Sequence, residues 1–198
     1  GAGRMLVLLD PAYVLPGQVN MAEHFRPWLQ QRLGVQVGAD AIVSPSSQSP
    51  LEILLVTDFA LLGAAQEARG PVPEAFRGSF SMSHPITRGL DSSMVLSAAR
   101  TVDLAEPRPE GVARAQLLRT APDTWAERDL RLLYESGEVA HDSEEPGGPL
   151  SVAVAVTLEA PEAPGQRDAR VVVIGDSDFA TNEKMAYVGH RNFLLNTA

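Results

Sequence analysis

Apolar positions along this chain fall into short uninterrupted runs rather than long stripes. Met5-Leu6-Val7-Leu8-Leu9 is apolar throughout and stops at Asp10-Pro11. Val171-Val172-Val173-Ile174 is the same kind of run and stops at Gly175-Asp176. Ile53-Leu54-Leu55-Val56, followed by Thr57-Asp58, is a third. A run without alternation leaves no face for solvent, as in a parallel strand covered on both sides by helices. The pattern therefore predicts Met5–Leu9 and Val171–Ile174 as inner strands of a mainly parallel sheet. Ser151 to Leu158, built from Val, Ala and Thr, predicts a strand beside the last one.

Helical periodicity is sparser. Between Asn20 and Leu33 the residues Phe25, Trp28, Leu29 and Leu33 share one face, and Gly34 is a fitting stop. Pro27 interrupts that segment and predicts a kink or a late start. Phe59 to Arg69 is rich in Ala and Leu and predicts a helix ended by Gly70-Pro71, and a closing helix is expected from about Arg191. Ser44–Pro50, Glu106–Gly111, Ser136–Pro149 and Glu159–Arg170 read as loops. The Ser136–Pro149 segment is acidic and rich in Gly and Pro, which predicts a solvated excursion separable from the core. With no internal repeat and no second core, the expectation is one α/β domain over residues 1–198.

Composition narrows the function. The 198 residues carry 16 Lys+Arg against 25 Asp+Glu, a net charge of −9. That balance argues against nucleic acid as a partner, because phosphate-backbone binding needs clustered cations. The absence of cysteine removes disulfides, thiolate metal sites and cysteine nucleophiles. No apolar run reaches the ~20 residues of a membrane span. The chain enters an apolar run almost at once, after Gly1-Ala2-Gly3-Arg4, which predicts a soluble piece of a longer, anchored protein. No phosphate-cradling glycine motif is present, so nucleotide turnover is not expected, nor are a cofactor or a resident metal.

Two segments invite chemistry. Each apolar run ends in an acid, Asp10, Asp58 or Asp176, and in open α/β sheets the carboxyl ends of strands form the ligand crevice. Gly175-Asp176-Ser177-Asp178-Phe179 supports three readings. Ser177 or Asp178 caps the next helix while Gly175 supplies the turn; Asp176 and Asp178 hold a hard cation with Asp10 or Asp58; or Ser177 is a nucleophile with His190 as base. The second segment is Ser83-His84-Pro85-Ile86-Thr87-Arg88-Gly89-Leu90, where His84 precedes a proline and so sits in an extended or turn segment. Asp10, Asp58, His84, Asp176, Ser177 and Asp178 are the ligand-binding candidates. No complete catalytic set stands out.

Four segments in order carry a resemblance: Gly3–Pro11, Ser83–Leu90, Leu118–Glu127 and Arg170–Asn182. Together they resemble the auxiliary component of uncharacterised ABC-type transport systems, a family that includes gliding-motility auxiliary proteins. The resemblance implies a membrane-anchored protein whose soluble region lies on the extracytoplasmic, periplasmic face. It implies permease and ATPase subunits as partners, and attachment to the membrane through segments outside this stretch. It also implies a three-layer α/β fold with a mainly parallel central sheet, glutamine-amidotransferase-like or flavodoxin-like. Amidotransferase activity itself is excluded by the missing cysteine. The expected role is thus a non-enzymatic accessory domain that binds partner subunits or a ligand. The alternative is a hydrolase-like or glycan-binding domain using the strand-end acids with His84.

Overall fold

The computed structural model describes residues 3–11, 13, 21–56, 76–160 and 167–198. The predicted helix Phe59–Arg69 and the candidate Asp58 lie outside the described residues. The strands are β1 (Arg4–Leu8), β2 (Val35–Val37), β3 (Ala41–Val43), β4 (Glu52–Leu55), β5 (Phe76–Arg77), β6 (Phe80–Ser81), β7 (Met94–Ser97), β8 (Val102–Leu104), β9 (Val112–Arg119), β10 (Trp125–Glu127), β11 (Ser151–Leu158) and β12 (Ala169–Ile174). The α-helices are α1 (Met21–Trp28), α2 (Leu130–Ser136) and α3 (Val188–Thr197).

Six strands form the central sheet in the order β1-β12-β11-β9-β6-β5. Three antiparallel pairs flank it: β10 with β3, β2 with β8, and β4 with β7. Only β1 and β12 run parallel among the described residues; the other pairings are antiparallel. The expected mainly parallel, three-layer α/β fold is therefore corrected to a strand-rich fold around a mixed sheet, with short helices. The reason lies in what covers the sheet. Parallel strands need long crossover helices between them, whereas this sheet is covered largely by strand pairs, turns and short helices.

Both faces of the inner strands are nonetheless buried. Val172, Ile174, Ala153 and Ala155 point into one cluster with Met94, Leu96, Phe179 and Phe193. Val171, Val173, Val154 and Val156 point into the other, against Leu29, Leu33, Val35 and Val102. Alternate residues thus serve two cores, which explains the unbroken apolar sequence. Val171–Ile174 is an inner strand and β11 is its neighbour, as predicted. The Met5–Leu9 run is not inner: β1 forms the sheet edge among the described residues, with Met5 42% and Leu6 36% exposed. Only Val7 and Leu9, towards its carboxyl end, are buried. The third run, β4, pairs with β7 outside the central sheet and leaves Leu54 exposed.

α1 carries Pro27 inside it and passes into a π-helical turn, Leu29–Leu33. Pro27 cannot donate to the Glu23 carbonyl, so the regular ladder is broken just where the wider turn begins. Gly34 ends the segment in the left-handed conformation, and its N–H reaches the Gln30 carbonyl at 3.0 Å. α3 begins at Val188, three residues before the expected start, and buries His190 and Phe193. α2 was not foreseen, although it has ordinary signals: Asp129 caps the Leu132 N–H at 2.9 Å and Gly137 stops it. Among the described residues no helix is long and apolar enough to cross a membrane.

Candidate functional site

The parallel register of β1 and β12 brings the ends of two predicted strands together. Leu8 stands beside Ile174, so the loops that follow, with Asp10 on one and Asp176-Ser177-Asp178 on the other, meet at one edge. The Ser177 N–H donates to Asp10 Oδ1 at 2.7 Å, and its hydroxyl donates to Asp10 Oδ2 at 2.7 Å. Asp176 is fully buried. Its Oδ1 accepts the Asp178 N–H at 2.7 Å and its Oδ2 accepts the Ser97 N–H at 3.0 Å. Asp176, rather than Ser177 or Asp178, is therefore the side chain that caps the one-turn 3-10 segment Asp178–Ala180. It also ties that turn to the end of β7.

Burial pushes the Asp176 carboxyl up to about 7. The two N–H donors oppose that rise, and the negative charges of Asp178 and Asp10 add to it. Beneath the loops lies Arg100, fully buried. It donates to the Asp10 carbonyl at 2.9 Å, to the Gly38 carbonyl at 2.7 Å through Nε, and to Glu23 at 3.0 Å. Burial raises the Glu23 carboxyl, but the bonds and charges of Arg26 and Arg100 outweigh that and hold it below its ordinary value. The Arg100 main chain bonds Gly175, N–H to carbonyl at 2.7 Å. Sequence reasoning missed Arg100 because nothing in Ala98-Ala99-Arg100-Thr101 distinguishes a buried cation from a surface one.

This arrangement favours the capping reading of the Gly-Asp-Ser-Asp segment. A serine nucleophile needs a base, and Ser177 is bonded to a carboxylate instead. His190 has both ring nitrogens engaged, Nε2 accepting the Val95 N–H at 2.9 Å and Nδ1 donating to the Lys184 carbonyl at 3.0 Å. Burial lowers its pKa, consistent with a neutral core imidazole. Among the described residues no three His, Asp or Glu side chains assemble as a metal-binding group. Asp10, Asp176 and Ser177 form a closed latch between strand ends, and Asp178 stands exposed beside it.

His84 is not part of it. It lines a cleft with Arg4 and Arg170, at the opposite end of the β1–β12 pair. The four steps from Arg170 to Ile174 alone span roughly 13 Å at the usual strand rise. Of the strand-end acids that the alternative couples to His84, Asp10 and Asp176 thus lie far from it.

A second carboxylate pair escaped the sequence reading. Glu127 at the end of β10 and Glu145 in the acidic loop are both buried. Glu145 accepts the Arg128 N–H at 2.9 Å and the Asp142 N–H at 3.0 Å, while Glu127 accepts the Asp129 N–H at 2.8 Å. Burial, together with the facing Glu145, holds the Glu127 carboxyl above its ordinary value.

The site defines a strand-rich domain whose polar strand-end groups are engaged with one another. The chain belongs to the family described as an ABC-type uncharacterized transport system, whose model matches residues 2–197, and is an auxiliary component of such a system. No curated protein matches the chain.

Proposed function

We propose that this chain is a non-enzymatic accessory domain on the extracytoplasmic, periplasmic face of the membrane. It docks to the permease and ATPase subunits of its transport system and leaves nucleotide hydrolysis to the latter. Anchorage comes from segments outside residues 1–198, as the family resemblance implies. The observation that carries this reading is the closed latch. The side chains best placed for chemistry, Asp10, Asp176 and Ser177, spend their bonding capacity on holding β1, β7 and β12 in register. A family role that needs no reaction centre agrees with that economy.

The test is to tag the protein in its native cells, solubilise the membranes gently and isolate the assembly. Co-purification in fixed ratio with a permease and an ATP-binding subunit is the expected result, with protease added outside the membrane cutting the domain in intact spheroplasts. Recovery of the chain alone, or hydrolytic turnover by the purified chain that Ser177→Ala or Asp10→Asn abolishes, overturns it.

A further inference from the structure

In register across the sheet, Arg4 of β1 stands directly beside Arg170 of β12, and Arg170 beside Thr157 of β11. Register partners project from the same face, so two guanidinium stems rise side by side from strands about 4.8 Å apart. Like charges placed directly opposite on neighbouring strands destabilise a sheet. Among the described residues no Asp or Glu side chain pairs with either arginine. The cleft around it, of about 360 Å³, is lined by Arg4, His84, Arg170, Thr157, Asn196 and apolar residues including Ile86 and Val172, with no Asp or Glu side chain. Arg170 makes no ion pair among the described residues, and Arg4 donates to the main-chain oxygen of Ala198. In a chain of net charge −9, a cleft lined by two arginines and by no Asp or Glu side chain is out of character.

His84 offers a further donor. His84 Nδ1 accepts the Ile86 N–H at 3.3 Å, which leaves the proton of the neutral ring on Nε2. Burial and the Arg170 charge lower the His84 pKa. The charged groups facing it are Arg170 of β12 and Arg4 of β1; α3 contributes Asn196 and Thr197, and β11 contributes Thr157. Asn196 donates to the Ile86 carbonyl at 2.8 Å and so fixes the turn carrying His84 against α3.

We infer that this cleft, built from Arg4, Arg170 and His84, is a binding site for an oxyanion ester, a phosphate or sulfate group carried on an apolar body. The arginines supply charge-assisted donors to the oxyanion. Ile86, Pro85, Ala155 and Val172 give the apolar body a floor. A bound anion favours protonated His84, so the anion is held more tightly as pH falls. The site stands independently of which subunits the domain docks to.

Sulfate is the first probe, because its charge is constant across the working range. In a chloride buffer of matched ionic strength, sulfate raises the melting temperature of the protein, and the rise grows from pH 8 to pH 6. Arg170→Gln weakens the apparent sulfate affinity about tenfold or more, the scale of a lost charged hydrogen bond. Without sulfate the same variant melts no lower than the parent, since a like-charge neighbour is removed. His84→Gln abolishes the pH dependence but not the binding. Arg88→Gln, exposed on the same turn but outside the cleft, serves as the control and leaves the effect intact. Two further arms separate the sources of the ester. Sedimentation with phosphatidylglycerol vesicles, lost in Arg170→Gln, assigns it to a lipid headgroup; saturation by glycerol 3-phosphate without vesicle binding assigns it to a soluble ester. Sulfate stabilisation that is absent, or equal in the parent and Arg170→Gln, overturns the site.

Discussion

Gly175 shows how a single residue can look like chemistry and serve packing. It opens the segment that most resembles a nucleophile or cation loop, yet its position is dictated by Arg100. A Cβ placed on Gly175 would lie 2.1 Å from the Arg100 carbonyl oxygen, and main-chain atoms cannot step aside. The close approach lets the Arg100 N–H bond the Gly175 carbonyl and lets the guanidinium reach the Asp10 loop. Gly175→Ala is therefore expected to destabilise the protein by about 1–3 kcal/mol, the usual cost of forced overpacking. Chemical denaturation measures it; a change within about 0.5 kcal/mol would mean the backbone contact is not tight. The sequence reading placed the capping role one or two residues too late. Asp176, Ser177 and Asp178 all carry capping side chains, and only the position of Ser97, far away in sequence, selects Asp176.

At the scale of elements, the apolar runs told strand from loop but not inner from edge. Met5-Leu6-Val7-Leu8-Leu9 and Val171-Val172-Val173-Ile174 read alike, and what separates them is whether β11 lies alongside, a contact between segments far apart. Antiparallel pairing of β11 and β9 was equally hidden, since short Val and Ala side chains fit either sheet type. The acidic loop was misjudged for a related reason. Its exposed charges suggested a free excursion, but its far half is stitched to the body. Trp125 bridges to Gly147, Ala126 N–H reaches the Pro146 carbonyl at 2.9 Å, and Gly148 N–H reaches the Thr124 carbonyl at 2.7 Å. The His141 ring stacks on Trp125 at 5.4 Å, and buried Glu145 closes against Glu127. Deleting Asp142–Gly148 thus removes an added strand edge and strands Glu127 and Trp125 without cover. The expected result is loss of several kcal/mol or failure to fold, because each buried polar group left unpaired costs about 1–3 kcal/mol. A deletion variant with an unchanged melting temperature would restore the idea of a dispensable loop.

Across the whole molecule the buried titratable groups pull in opposite directions, which flattens the dependence of stability on pH. Asp176 rises from 3.8 to about 7 on folding, so the folded state favours its protonated form. Its contribution is complete below about pH 4 and is lost as pH rises through about 7. Glu127, also raised, acts in the same sense. His190 and His84 are lowered from 6.5, so the folded state favours the neutral ring. Their contribution is complete above 6.5 and is lost as pH falls below it. For His190 the cause is burial, and the geometry agrees: a proton on Nε2 would face the Val95 N–H, leaving a buried donor without an acceptor. Glu23, lowered by Arg100 and Arg26, adds a further loss at still lower pH, when its carboxylate is protonated. The Asp176 loss thus runs between about pH 4 and 7, against the gain from the two histidines below 6.5, and above about pH 7 neither changes further. Each effect has its own variant. Asp176→Asn removes the loss, at the cost of one of the two N–H bonds that only a carboxyl can accept together, so its melting temperature climbs more steeply than the parent's from pH 4 to 7. His190→Gln removes part of the opposing gain, so its melting temperature climbs less steeply over the same window. Melting curves between pH 4 and 9 for the parent and both variants decide it. If Asp176→Asn has the parent's slope between pH 4 and 7, Asp176 is ionised without penalty and the latch at the strand ends holds a charge that burial has not disfavoured.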